Sequence, residues 1–252
     1  MIWGIDNKGE RIEATPKKRA ICPICGSELI SKCGKILVWH WAHINMEECD
    51  NWSEGETWWH LDWKNKFPKE NQEVIIGKHI ADVRTPSRWV IELQNSPISS
   101  EEIIEREEYY KRMVWLLNGE TLGKNIELNK EKRNGFTFRW KHPPKSWWFC
   151  EKDIFVDLSE NLEEMYKEKF DIEKGKYVTK QVSSEDYNEY SGNSYWTSSY
   201  IDITQDYLKK LKRNIKLLEK KPILKIITLY KKTPCFGFGK LFSIEEFIKI
   251  YN

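Results

Sequence analysis

Four of the six cysteines, Cys22, Cys25, Cys33 and Cys49, fall within 28 residues, and His40 and His43 lie between the last two. The chain opens MIWGIDNKGERIEA, without the basic start, long apolar stretch and small-residue cleavage site of a secretory signal, so a cytoplasmic location is expected. In that compartment clustered cysteines speak for a metal and against disulfides. The run Cys22-Pro23-Ile24-Cys25-Gly26 has the form of a zinc knuckle. Two thiolates separated by two residues chelate one ion, and the glycine allows the turn a positive φ. Cys22, Cys25, His43 and Cys49 form the preferred tetrahedral set, with His40 as the closest substitute. More than enough ligands are present to close the shell, which favours a structural Zn²⁺ over a catalytic one. Such a site contributes on the order of 10 kcal/mol of folding energy to a segment too small for its own core.

A second group follows. The sequence predicts a helix over 56–67, on which Glu56, His60 and Lys64 recur at i, i+4 and i+8 beside an apolar stripe of Trp59, Trp63 and Phe67. A polar triad against an apolar stripe suggests a site. The plainer alternative is that Glu56 belongs to a capping box with Ser53 and that the triad decorates an exposed face. Three short β-branched segments come next, Glu73 to Ile76, His79 to Val83 and Trp89 to Gln94, with turn signals between them. Period-2 alternation places Val90, Glu92 and Gln94 on one face and Ile91 and Leu93 on the other. Asp82, near the end of its strand, is then expected to face Glu92 on the neighbour. His79 points away from Asp82 and is a weak supporting candidate.

The elements that must hold these residues are readable in part. Ser99 and Glu102 form a capping box for a helix over 100–116, with Ile103, Arg106, Tyr110 and Met113 or Val114 on one face. Strands are predicted over 136–140 and 147–158, separated by the turn Lys141-His142-Pro143-Pro144. Residues 183–200, rich in Ser, Asn and Tyr, are expected to be a loop. Leu208, Leu211, Ile215 and Leu218 mark an amphipathic basic helix, Ile223 to Tyr230 a buried strand, and Phe242, Ser243, Glu246 and Phe247 the start of a terminal helix. Cys150 and Cys235 are expected to be ordinary core thiols.

Composition bounds the answer. A chain of 252 residues is one large or two modest domains. Charged residues make up 32% and mean hydropathy is −0.68, yet 40% of residues are apolar and 13% aromatic, which excludes wholesale disorder. The longest apolar candidate, Ile223 to Tyr230, contains Lys225 and is far shorter than the ~18–20 residues of a membrane span, so no membrane association is expected. The net charge of +2 hides an asymmetry: from Ile201 onward 12 Lys and Arg oppose 5 Asp and Glu, leaving the first 200 residues at −5. An anionic partner is conceivable for that basic end, although a Lys-rich helix face is more often simply solvated. Six of the 13 tryptophans, at 39, 41, 52, 58, 59 and 63, crowd into 25 residues, where a compact aromatic core is expected in preference to a stacking surface.

The text CPICG, HWAH, a following cysteine, GETWWHLDWK, HIADV, IELQNSPIS and the helix with Arg106, Tyr110 and Trp115 resembles the CoiA-like competence protein family, a branch of the PD-(D/E)XK nuclease superfamily. The resemblance spans about residues 22–117. It implies an α+β fold: a restriction-endonuclease-like αβββαβ core with a small N-terminal zinc-binding module (1–54) and a nuclease domain (55–252), of which about 161–252 is a C-terminal α/β extension. It also implies metal-dependent phosphodiester hydrolysis, with DNA as the nucleic-acid partner, in DNA uptake, a mobile element or defence. Asp82 and Glu92 would hold Mg²⁺ or Mn²⁺, because hard cations prefer carboxylate oxygens and can polarise a phosphate and activate water. Glu56 or His60 would add a ligand or hold a metal-bound water. Gln94 stands where the superfamily usually has lysine; glutamine has no charge and cannot act as a general base. The resemblance therefore suggests that Gln94 orients the water and Lys64 supplies the missing positive charge. Arg106 and Tyr110 would contact the substrate backbone; the alternative is that Arg106 pairs with Glu102 and Tyr110 packs in the core. A non-catalytic zinc-containing nucleic-acid-binding module is the competing function.

Overall fold

The N-terminal strands are short, and their apolar residues alternate with exposed polar ones, a pattern that buries one face only. A computed structural model describes residues 1–35, 37–44, 49–52, 55–123, 125–132, 135–159, 170–171, 176–177, 205–230 and 235–252. In it β1 (Trp3–Ile5), β2 (Arg11–Glu13), β3 (Arg19–Ile21), β4 (Glu28–Lys32) and β5 (His40–His43) form an antiparallel sheet in the order β2-β1-β3-β4-β5. Ala14, Ala20, Cys22, Leu29 and Trp41 make its small core.

A second sheet of nine strands carries the rest. Its strands are β6 (Gln72–Ile76), β7 (His79–Arg84), β8 (Val90–Gln94), β9 (Met113–Asn118), β10 (Ile126–Lys132), β11 (Gly135–Trp140), β12 (Asp153–Asp157), β15 (Ile223–Tyr230) and β16 (Cys235–Phe242). A separate two-residue pair, β13 (Phe170–Asp171) and β14 (Lys176–Tyr177), lies between β12 and β15 in sequence. The spatial order is β10-β11-β16-β15-β12-β9-β8-β7-β6, with β9 parallel to both β8 and β12. Helices α1 (Trp58–Lys64), α2 (Ser100–Tyr110), α3 (Gln205–Lys220) and α4 (Ile244–Tyr251) complete a mixed α+β fold. From α1 to β9 the elements run helix, three strands, helix, strand.

Several boundaries differ from the sequence reading. Helix α1 begins at Trp58 and is capped by Thr57, whose hydroxyl accepts from the His60 N–H; Ser53 lies outside the described residues. Helix α2 stops at Tyr110, where Lys111 takes φ +57, and Met113–Asn118 is a strand. All six of those residues are buried, as befits a central strand with parallel neighbours covered on both faces. Residues 147–158 divide into a 3₁₀ turn, Lys145–Phe149, and β12. The loop expected at 183–200 lies outside the described residues. Of the crowded tryptophans, 41, 52, 59 and 63 are buried, but Trp39 and Trp58 are 46% and 63% exposed, so the cluster is only partly core.

The nine-stranded sheet has a core on each face. Val90, Met113, Trp115 and Leu117 pack with Ile103 and Tyr110 of α2. Ile91, Leu93, Val114 and Leu116 pack with Trp59 and Trp63 of α1 and with Phe247 and Tyr251 of α4. The α1 indoles are fixed as well as buried: Trp59 and Trp63 Nε1 both donate to Asp157 Oδ2, at 2.9 and 2.7 Å.

Candidate metal centre and carboxylate cleft

Gly26 takes φ +72, and its N–H donates to the Cys22 carbonyl at 3.0 Å, closing the turn that presents Cys22 and Cys25 together. His43 arrives from the end of β5 and Cys49 from the chain beyond it. The four ligand atoms lie within 4.8 Å of one another, with the Cys22 and Cys49 sulfurs 3.5 Å apart and Cys25 Sγ 3.4 Å from His43 Nε2. His40 is directed elsewhere, its Nδ1 lying 2.8 Å from the Val38 carbonyl. The Cys25 thiol is lowered to about 6 by its hydrogen bond with Ser27, aided by the Ser27 backbone, His43 and Cys22. Burial and the neighbouring Cys22 and Cys25 push the Cys49 thiol up to about 12. Sulfurs that compete for protons at this spacing are the donor set that soft-tolerant, tetrahedral Zn²⁺ takes, and this Cys₃His cluster can hold one.

The second group converges beside it. The two-residue turn Gly77-Lys78 sets the β6–β7 register, Gln72 opposite Val83 and Val74 opposite Ala81, so Glu73 stands across from Asp82. On the other side Val83 pairs with Ile91 and Arg84 with Val90, and the next step of that register sets Asp82 opposite Glu92. Three carboxylates thus lie in one row across β6, β7 and β8. The β7–β8 ladder stops there, because the Leu93 N–H donates to Asp82 Oδ2 at 3.0 Å in place of a backbone carbonyl.

Lys64 reaches into this row from α1. Its ammonium lies 2.5 Å from Glu56 Oε1, 3.0 Å from Glu73 Oε1 and 3.2 Å from Asp82 Oδ1, and its side chain is 2% exposed. Burial opposes the charge, but the three carboxylates outweigh it and hold the Lys64 pKa well above the usual value. The three donors of the ammonium are therefore matched by three acceptors. Burial raises the Glu56 pKa, Lys64 opposes, and Glu73 and Asp82 add to the rise. Glu73 goes the other way: although burial alone would raise it, Lys64, the N-terminal ammonium and the Ile2 N–H at 2.8 Å lower it, and the Trp3 N–H bonds it as well at 3.0 Å. Glu73 holds a left-handed φ of +45, a conformation costly for a non-glycine residue, which these bonds to β1 and α1 offset.

His60 is a packing and positioning group. Thr57 N–H and Oγ1–H approach its Nδ1 at 3.3 and 2.8 Å, and its Nε2 lies 3.1 Å from the Leu93 carbonyl, so both ring nitrogens are engaged and α1 is pinned to β8. Glu92 is buried on the α2 side: Arg106 Nη1 donates to its Oε2 at 2.9 Å, while Oε1 has no hydrogen-bond partner among the described residues. Burial first, then the Asp82 charge, pushes the Glu92 carboxyl up to about 8 against the pull of Arg106. Arg106 also bonds Glu102 and the Trp52 carbonyl, so its guanidinium is held inside the protein. Tyr110 is buried beside it. Gln94 is fully buried on β8, and its Nε2 donates to the Ser96 carbonyl at 2.9 Å.

A cleft of about 530 Å³ opens over this row. One wall is β4–β5 of the first sheet, with Lys32 and His40 adjacent in register; the other carries Glu56, His60, Lys64, Glu73, Asp82 and Glu92. His43 and Cys49 of the metal cluster also line it, whereas Gln94 and Tyr110 do not. Residues 6–51, which hold β2 to β5 and all four cluster ligands, match the family described as Competence protein CoiA, N-terminal domain. This N-terminal stretch is similar to a CoiA N-terminal domain. No curated protein and no solved structure matches the chain. Beyond residue 51 the chemistry therefore follows from the chain's own geometry. Glu73 and Asp50, both central to that geometry, escaped the sequence reading; the two-residue turn at Gly77-Lys78 was the signal that places Glu73 opposite Asp82.

Among the described residues no helix is long and apolar enough to cross a membrane. The buried Cys235 donates to the Tyr230 carbonyl, and Cys150, half-buried at the edge of the core, donates to Glu107.

Proposed function

We propose that this chain is a metal-dependent nuclease of PD-(D/E)XK type that hydrolyses phosphodiester bonds of DNA. The observation that carries the proposal is the placement of Asp82 and Glu92 side by side on β7 and β8 at a cleft, within an element order of helix, three strands, helix, strand. The donor chemistry fits a hard divalent cation. Glu92 Oε1 and Glu56 Oε2 are buried oxygens without a hydrogen-bond partner among the described residues, and Asp82 is half-buried at the cleft. Asp82 and Glu92, with Glu56 as the further oxygen, would hold Mg²⁺ or Mn²⁺, which when bound polarises a phosphate and makes water a better nucleophile.

The chain's own groups do the positioning. The Lys64 ammonium and the Leu93 N–H fix the two oxygens of Asp82. Arg106 fixes one oxygen of Glu92 and leaves the other available. In this reading Lys64 acts by compensating the acidic row, since its donors are committed to carboxylates. Gln94 and His60 act through the strand β8 that they hold, and Lys32 gives the opposite wall a cation suited to phosphate. The zinc-loaded cluster completes that wall. The test is cleavage of linear, circular and single-stranded DNA, and of RNA, by purified protein with Mg²⁺ or Mn²⁺. Metal-dependent cutting that Asp82→Ala lacks at unchanged zinc content supports the proposal; binding without cutting under every condition replaces it with the nucleic-acid-binding module.

A further inference from the structure

We infer that the segment 49–52 is a strut through which the Cys₃His cluster positions Glu92, so that zinc binding and divalent-cation binding in this chain are coupled. Asp50 and Trp52 are the positioning residues. The inference deepens the nuclease reading and rests on it.

The strut can be followed bond by bond. Cys49 is one of the four clustered ligands. The next residue, Asp50, is 4% exposed, and both its oxygens are committed: Oδ1 accepts from the Trp52 N–H at 3.1 Å and lies 2.8 Å from His79 Nδ1, and Oδ2 accepts from the Ile80 N–H at 2.8 Å. The segment is thereby fastened to the start of β7, the strand that carries Asp82. Trp52 adds a second fastening, because its ring stacks on His79 with centroids 3.3 Å apart and planes 8° from parallel. Its carbonyl accepts from Arg106 Nη2 at 2.7 Å, and the other end of the same guanidinium donates to Glu92 Oε2 at 2.9 Å. Three residues, Asp50, Trp52 and Arg106, therefore join Cys49 of the cluster to a candidate cation ligand.

Cys49 is half-buried and Asn51 exposed, but the bonded links beyond them are buried: Asp50, Trp52, Arg106 and Glu92 are 4%, 6%, 4% and 3% exposed. Water is not at hand to replace a bond that lengthens, so a shift of Cys49 is passed on, and each buried polar group left unpaired costs about 1–3 kcal/mol. The guanidinium has little slack, since Glu102 holds it as well. A cluster that is loaded fixes Cys49; an empty one releases the strut and with it the orientation of Glu92. Coupling of this kind is reciprocal, and typical values correspond to about 5–150-fold in affinity.

The test uses the intact chain and Mn²⁺ alone as the probe, with free Mn²⁺ followed by electron paramagnetic resonance and zinc measured by elemental analysis. Four states are compared: zinc-loaded and zinc-stripped, each for the unmodified chain and for Asp50→Asn, which cannot accept from both His79 and Ile80. Zinc removal is expected to weaken Mn²⁺ binding about tenfold in the unmodified chain. Asp50→Asn is expected to weaken it about as much with zinc fully bound, and zinc removal to add less than twofold in that variant. Should stripping zinc unfold the chain by circular dichroism, zinc-loaded Asp50→Asn and Arg106→Lys decide the matter, each with weakened Mn²⁺ binding at full zinc occupancy. Unchanged Mn²⁺ affinity in those variants, or fully independent effects of zinc and Asp50, overturns the strut. A Mn²⁺ site that Asp82→Ala leaves intact overturns the nuclease reading instead, and the strut's function with it.

Discussion

Lys64→Met probes the charge arrangement at the heart of the cleft. Methionine keeps most of the aliphatic volume but removes the ammonium that lies 2.5, 3.0 and 3.2 Å from Glu56, Glu73 and Asp82. Because Lys64 is 2% exposed and Glu56 and Glu73 are nearly as buried, solvent cannot take over the compensation. Removing one partner of a buried ion pair typically costs 3–5 kcal/mol, so a loss of about 3–5 kcal/mol is expected near pH 8. For a chain of this size that corresponds to a fall in melting temperature of about 6–20 °C. The pH dependence carries the sign. In the native chain Glu73 is held below its ordinary value, so its contribution is present above the unfolded carboxylate range and lost as pH falls through the lowered one. Without Lys64 the carboxylates are stabilised by protonation, so the gap between variant and parent should shrink from pH 8 to pH 5. Adding Glu56→Gln to Lys64→Met should restore about half of the loss, because one uncompensated charge is gone. Urea unfolding of the four proteins of this cycle at pH 8 and pH 5 measures all of this. A loss below about 1 kcal/mol, or a gap that widens on acidification, would refute the reasoning.

Zinc uptake at pH 7 should release at least one proton, because the Cys49 thiol, raised to about 12, must ionise to bind; calorimetry in buffers of different ionisation enthalpy counts the protons. Mn²⁺ affinity should climb about tenfold per pH unit up to about 8 and then level, since Glu92 must give up its proton to bind. The same titration of Glu92→Gln should show no such climb. Asp157→Ala should destabilise by about 2–5 kcal/mol in urea unfolding, since it strands the buried N–H groups of Trp59 and Trp63, and Asp157→Asn should recover part of that.

The fold was legible where local chemistry decides structure. The Gly26 turn, the alternation of β8 and the Ser243 capping box could be read directly, since each depends on residues within a few positions of one another. The strand Met113–Asn118 could not, because a short apolar run next to a helix carries no period of its own, and only its neighbours β8 and β12 make it a strand. For the same reason the start of α1 was not legible: Thr57 and Ser53 are equally good caps in isolation, and Thr57 caps the helix in a reciprocal bond with His60, which also docks on Leu93. At the candidate site Asp82, Glu92 and the cluster ligands stood out by type and spacing. Glu73 and Asp50 did not, because their roles come from bonds to residues 71 and 30 positions away, to Ile2 and Ile80.

The central claim is that Asp82 and Glu92 form a divalent-cation site that hydrolyses phosphodiester bonds. Single-turnover cleavage of an end-labelled oligonucleotide, with Mn²⁺ and at matched zinc content, measures it in the parent chain, Asp82→Asn and Glu92→Gln. The account predicts cutting by the parent that chelation stops, and a loss of about 10²–10³-fold or more in each variant with folding retained. Equal cutting by parent and variants, or none by any of them with Mn²⁺ demonstrably bound at Asp82, would contradict it.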